Sequence, residues 1–196
     1  MESSEKAIGL IELDGNKMKL IIMTGMPGAG KSEVADAFQR AEVPVIVMGD
    51  VIREEVRRRG LEETPANTKK IMLELREKDG PGAVAKRCVG SLIDIDAPVV
   101  VIEGCRSLAE IDVFDDCAKS VVIICVHSSP KTRFKRLCQR QRDDDPEDWE
   151  TFRERDIREI SVGLGSVISL SDIMIVNEGS IQDLRKRAEE IVEDQT

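Results

Sequence analysis

The sequence predicts an α/β fold, a doubly wound, five-stranded parallel sheet with helices on both faces, and three observations carry that prediction. From Lys19 onward, apolar runs of strand length alternate with segments of helical period, with no repeat or low-complexity stretch between them. The runs are rich in Val and Ile and lack an apolar/polar alternation, as expected of strands covered on both sides. Aromatic residues make up only 3% of the chain, so the core must be built from Val, Ile, Leu, Ala and Met, and 196 residues suffice for one well-buried domain.

The elements follow in order. Residues 1–18 read as an N-terminal extension ending in the turn-like Asp14-Gly15-Asn16, ahead of a single domain over 19–196. A strand at 19–24 (KLIIMT) leads to a helix at 31–40, then a strand at 45–48 (VIVM) and a helix at 50–59, with Asp50 as its cap and Gly60 as its stop. Helices at 66–79 and 82–95 precede a strand at 98–103 (PVVVIE), a helix at 107–116 and a strand at 120–126 (SVVIICV). Ser129, with Pro130 at the first helical position, opens a helix at 130–142. A helix at 151–169, a strand at 171–176 (SDIMIV) and a helix at 181–194 close the chain. Two segments exceed what simple crossovers need: a helical insertion at about 49–96, and a short lid at about 140–156 built on an acidic loop.

Composition removes several functions. With 29 basic and 38 acidic residues the net charge is −9, which disfavours broad electrostatic capture of nucleic acid or anionic membrane. No apolar run approaches the ~20 residues that span a bilayer, and no signal segment opens the chain, so a cytoplasmic location is expected. Five cysteines, Cys88, Cys105, Cys117, Cys125 and Cys138, form no C-x-x-C pair and read as buried free thiols. The single histidine, His127, reads as a loop or capping residue and leaves little room for a His-based metal site. Oligomeric state is open at this level.

The chemistry lies first in Gly25-Met26-Pro27-Gly28-Ala29-Gly30-Lys31-Ser32, which matches G-x-x-x-x-G-K-[ST] between an expected strand and an expected helix. Backbone N–H groups can curl around phosphate oxygens only where no Cβ intrudes, and the following helix adds its positive N-terminal end. Lys31 is then expected to reach the β and γ phosphates of ATP, and Ser32 to bind Mg²⁺. A small-G-protein GTPase would need Asn-Lys-x-Asp, whereas Asn16-Lys17-Met18-Lys19 lacks the Asp and precedes the motif. A motor or AAA-type ATPase would call for a longer chain and an acidic pair ending its Walker B strand, whereas strand 98–103 ends in Glu103-Gly104-Cys105-Arg106. A small kinase fits better.

Further motifs make the comparison specific. Met48-Gly49-Asp50-Val51-Ile52-Arg53 is similar to the G-D-x-x-R stretch of nucleoside monophosphate kinases, and Glu103-Gly104-Cys105-Arg106 resembles their D-G-x-x-R region, with Glu for Asp and Arg106 one residue early. Arg136 and Arg140, then Arg142, then Arg153 and Arg155 resemble the arginines flanking their lid. From Lys19 to the C-terminus the chain also resembles an archaeal P-loop family related to adenylate kinase and dephospho-coenzyme A kinase. That resemblance implies a three-layer P-loop NTPase fold with strand order 2-3-1-4-5, and a loop at Val176-Asn177-Glu178-Gly179 in which Asn177 and Gly179 support the adenine.

Phosphoryl transfer depends on positioning and on positive charge spread over the moving group, so arginines should converge from several loops. Arg53 and Arg106 follow two different strands and are placed to hold the acceptor phosphate bidentately, with contact from Asp50 implied by the resemblance. Arg136 and Arg140 share one helix face, and with Arg142 and Arg155 can close over the donor; Arg153 is the weaker member of this set. Arg57, Arg58 and Arg59 read as a solvated face paired with Glu54 and Glu55. Glu103 is placed to hold a water on Mg²⁺ or to orient the acceptor. The run Asp143 to Asp148 reads as a solvated turn able to orient lid arginines, Cys105 as a pocket-lining thiol, and Trp149 as packing for the lid base. The reaction expected is Mg²⁺-dependent transfer of the ATP γ-phosphoryl to a small nucleotide-type acceptor, a nucleoside or deoxynucleoside monophosphate. The alternatives are a dephospho-coenzyme A kinase-like activity and a nucleotide-binding switch acting through a partner.

Overall fold

A computed structural model of the protein describes residues 18–140 and 145–196. In chain order these form β1 (Lys19–Thr24), α1 (Lys31–Arg40), β2 (Val45–Val47), α2 (Met48–Arg58), α3 (Pro65–Asp79), α4 (Ala83–Leu92), β3 (Val99–Glu103), α5 (Leu108–Cys117), β4 (Ser120–His127), α6 (Pro130–Arg140), α7 (Trp149–Ser161), α8 (Leu164–Ser169), β5 (Ile173–Val176) and α9 (Ile181–Gln195). The strands make one parallel sheet in the order β2-β3-β1-β4-β5, as the sequence implied. The N-terminal extension up to residue 17 lies outside the described residues, as does Arg142. Among the described residues no helix is long and apolar enough to cross a membrane.

The two-sided burial follows from the period of the strands. Leu20, Ile22, Val100, Ile102 and Ile123 point to one face and pack with Met48, Ile52 and Val56 of α2, Ile71 and Leu75 of α3, Phe114 of α5 and Val167 of α8. Their neighbours Ile21, Met23, Val101, Ile124, Val126 and Ile175 point to the other face, against Phe38 of α1 and Leu184, Ala188 and Ile191 of α9. β1 lies at the centre, where crossovers leave in opposite directions, and the carboxyl end of such a strand is where open α/β sheets bind ligands.

Two boundaries differ from the sequence reading for identifiable reasons. α2 begins at Met48, directly out of β2, because Met48 is itself drawn into the core at 3% exposure; Val47 is its N-cap, and Asp50 sits in the first turn instead of capping it. Gly60 does stop α2, with φ 69° and the Leu61 N–H donating back to Val56 O at 3.1 Å. The single helix expected at 151–169 is two. Gly163 adopts φ 110° and breaks it, which turns Leu164 and Val167 into the core, and a Cβ there would come within 3.3 Å of Arg106 O.

α2, α3 and α4 fill the long connection between β2 and β3. Glu55 of α2 accepts from Arg58 at 2.7 Å and Arg59 at 2.7 Å, and Arg59 also reaches Glu74 of α3 at 2.7 Å; Arg57 pairs with Glu63 at 3.2 Å. The hydrogen bond from Arg58, aided by Arg59, holds the Glu55 carboxyl down to about 2 from an ordinary 4.5. A depressed carboxyl stabilises the fold above the unfolded value and loses that contribution as pH falls from 4.5 toward 2. Glu55→Gln is therefore expected to cost about 1–2 kcal/mol in urea denaturation at pH 6, and about a quarter of that at pH 2.5. An equal cost at both pH values would show that the ion pairs do not stabilise the insertion.

Candidate active site

The loop between β1 and α1 is shaped by its glycines. Gly25, Gly28 and Gly30 have φ 138°, 79° and 105°, and each is pressed against a neighbour: a Cβ would lie 2.2 Å from Val126 O, 2.9 Å from the Leu137 side chain and 2.5 Å from Asn177 Nδ2, respectively. Lys31 folds back under this loop, its Nζ donating to Gly25 O at 2.8 Å and to Met26 O at 3.3 Å. Burial of the ammonium lowers its pKa to about 8, against the pull of the Glu103 carboxylate and with a smaller push from Arg106. Ser32 stands exposed on the first turn of α1.

The loop is braced from behind by residues that chain order does not bring near it. The Asn177 side chain is buried at 6% exposure, and its amide donates to Ala29 O at 2.8 Å. Ser128 Oγ donates to Asn177 O at 2.5 Å, and Arg136 donates to Ser128 Oγ at 2.9 Å and to Asn177 O and Oδ1 at 3.2 Å. Arg133, one turn before Arg136, is buried at 3% exposure; it donates to Pro27 O at 3.2 Å and to Ser128 O at 3.1 Å, and pairs with Asp156 of α7 at 2.5 Å. The Arg133 guanidinium also lies 5.0 Å over the Phe152 ring, in an aromatic cluster with Phe134 and Trp149. Trp149 thus packs against Phe134 and Phe152. Sequence reasoning missed Arg133, Ser128 and Asp156; the signal for Arg133 was its place on the helix face that already carried Arg136 and Arg140.

The loop after β3 brings the second set of charges. Glu103 ends that strand beside Met23, and Gly104 turns the chain with φ 102°. The Arg106 backbone N–H donates to the buried Glu110 at 2.8 Å, and Glu110 also accepts from Arg76 of α3 at 3.0 Å. The Arg106 guanidinium lies 3.3 Å from Glu159 of α7, another residue the sequence reading did not single out. The charges of Glu103, Arg106 and Glu159 all bear on the pKa of Lys31.

Asp50 and Arg53 pair with each other on the exposed face of α2. Arg140 and Arg155 converge on Asp145 at 2.5 and 3.7 Å. A cavity of about 310 Å³ opens beside β5 and α9, lined by Asn177, Gly179, Ser180, Asp183 and Leu184 among others. It adjoins the glycine loop, since Asn177 and Leu184 are also the side chains closest to Gly30. All five cysteines are free thiols; burial pushes Cys88 up to about 12 and Cys125 up to about 11, which makes them inert.

A parallel sheet in this order, with a glycine cradle and a lysine after its central strand, defines a P-loop kinase-like fold. Comparison with known proteins gives the family: the chain belongs to the UPF0200 proteins and, through residues 24–153, to the family whose model is described as "AAA domain". It is 43% identical to a UPF0200 protein of Hyperthermus butylicus over 92% of this chain and 96% of that one. In three dimensions the fold is similar to that of TT1252 from Thermus thermophilus, with a TM-score of 0.64, 18% identity, and coverage of 91% of this chain and 98% of that one. It is also similar to a gluconokinase from Sinorhizobium meliloti 1021, with a TM-score of 0.52, 11% identity, and coverage of 91% and 94%.

Proposed function

We propose that the protein transfers the γ-phosphoryl group of ATP, with Mg²⁺, to a small nucleotide-type acceptor, a nucleoside or deoxynucleoside monophosphate. The observation that carries this reading is the glycine loop at the carboxyl end of β1, with Lys31 folded back into it and Glu103 at the adjoining end of β3. The cradle fits a phosphate chain because positive φ at its three glycines holds the backbone in a turn pressed onto Val126, Leu137 and Asn177, a conformation in which successive N–H groups can gather around an anion. Residues 25–32 hold the donor phosphates in this reading, and Lys31 leaves its two carbonyl partners for the β and γ oxygens. Ser32 and Glu103 suit Mg²⁺, which takes one or two protein oxygens and completes its shell with phosphate and water. When bound, the ion neutralises charge that develops on the phosphate oxygens.

The roles of the arginines follow. Arg106, with Asp50 and Arg53 from the α2–α4 insertion, receives the acceptor; Arg136, Arg140, Arg142 and Arg155 gather over the donor as the lid closes. Asn177 acts by holding the loop in place, and with Gly179 it borders the cavity that suits the adenine. An acceptor phosphate oxygen attacks the γ-phosphorus, the bond to the β-bridging oxygen breaks, and ADP leaves; the attacking oxygen is already an anion, so no general base is needed. A net charge of −9 favours a small-molecule partner over nucleic acid, and free thiols suit the reducing cytoplasm.

The test is a coupled or thin-layer assay of the purified protein with Mg²⁺-ATP and a panel of AMP, CMP, UMP, GMP, their deoxy forms and dephospho-coenzyme A, with Lys31→Ala as control. Lys31-dependent phosphorylation of a monophosphate supports the proposal. Phosphorylation of dephospho-coenzyme A alone moves the acceptor to a ribose hydroxyl and makes Glu103 or Asp50 the base. Acceptor-independent hydrolysis across the whole panel overturns the kinase reading in favour of a nucleotide switch.

A further inference from the structure

Each arginine assigned to acceptor phosphate is met by a carboxylate of the chain itself, but the two cases differ. The Asp50–Arg53 pair is exposed on both sides, with side-chain exposures of 61% and 44%, so water already screens it. Glu159 is different: its side chain is 10% exposed, while that of Arg106 is 46% exposed. The carboxylate is sealed behind a guanidinium whose outer edge faces solvent. Glu159 is also presented from a fixed support. Asp156, three residues earlier on the same face of α7, is tied to Arg133 at 2.5 and 2.8 Å, and Arg133 in turn holds Pro27 O at 3.2 Å.

We propose that Glu159 is an internal anion that holds Arg106 until the acceptor's phosphate takes its place, and that it thereby lowers the affinity of the site for acceptor phosphate. This rests on the reading of Arg106 as an acceptor-phosphate residue. A hydroxyl or a base edge offers a guanidinium less than a carboxylate does and leaves the pair intact, whereas a phosphate brings two formal charges and a bidentate fit. Once Arg106 turns to phosphate, the Glu159 carboxylate loses its partner in a poorly hydrated place and must withdraw, which draws on α7. The chain's single tryptophan, Trp149, is the first residue of that helix and reports its movement.

The experiment measures binding, so it is read independently of turnover. AMP, CMP and the corresponding nucleosides are titrated, with ADP saturating, against wild type, Glu159→Gln, Arg106→Gln and the double variant, by calorimetry and Trp149 fluorescence. Glu159→Gln is expected to bind the monophosphates about three- to tenfold more tightly, the scale of a partly exposed ion pair. Nucleoside binding should be unchanged, and the gain should vanish in the Arg106→Gln background. Glu159→Asp, which keeps the charge but has a shorter reach, should move in the same direction by less, and covers the case in which Glu159→Gln does not fold. Unchanged or weaker monophosphate binding in a folded variant, a gain that survives without Arg106, or no monophosphate binding in any protein would overturn the proposal. Absence of phosphoryl transfer alongside the expected binding pattern would overturn only the catalytic reading.

Discussion

Lys31→Met is expected to lower phosphoryl transfer by about three orders of magnitude while leaving the protein as stable as wild type or more so. The activity loss expected on the proposed function follows from removing the ammonium that folds back onto Gly25 O and Met26 O of the glycine loop. The stability gain follows from the same burial. A lysine held at about 8 in the native state, against 10.5 when unfolded, carries a penalty for its charge below pH 8. Met fills a similar volume without a charge to desolvate. Kinetics on the acceptor panel and thermal denaturation at pH 7 check both halves. A variant that melts well below wild type would place Lys31 among the structural supports of the loop and weaken its assignment to phosphate.

Gly25→Ala is expected to lose about 3 kcal/mol or more of stability, and ATP binding with it. Two penalties add at this position: φ 138° is a conformation that L side chains rarely adopt, and the new Cβ would lie 2.2 Å from Val126 O in the backbone of β4. A backbone carbonyl in a central strand cannot step aside as a side chain can, so the loop must lift from the sheet. Gly60→Ala is the internal comparison. It too has positive φ, at 69°, but nothing lies within 4 Å of its Cβ, so its cost should stay near 1 kcal/mol. Urea denaturation of both variants separates the contributions. Equal losses at the two positions would mean that the close approach to Val126 contributes nothing.

Element order and the cradle were legible in the sequence because both rest on local signals. β1 through β5 stand where runs of Val and Ile lie between turn residues, and Gly25 to Ser32 must form a loop wherever strand and helix flank them. The start of α2 was less legible because it is set by burial of Met48 and not by a capping side chain. The break at Gly163 was missed because a lone glycine in a helical pattern is ordinarily tolerated, and only the need to place Leu164 and Val167 in the core makes it a corner.

Charge pairing divides the same way. The sequence by itself determined which residues carry charge, that they lie at the carboxyl ends of the strands or on α6 and α7, and that Arg136 and Arg140 share a face. It could not determine that Arg133 meets Asp156, that Arg106 meets Glu159, or that Asn177 holds Ala29, since the two partners lie on different elements or loops of the fold. Periodicity and propensity act within a few residues of chain, whereas an ion pair is fixed by where whole helices come to rest on the sheet. The fold class is therefore a property of the local pattern. The arrangement of charge around Lys31 exists only once α7 is packed against the loops that follow β1 and β3.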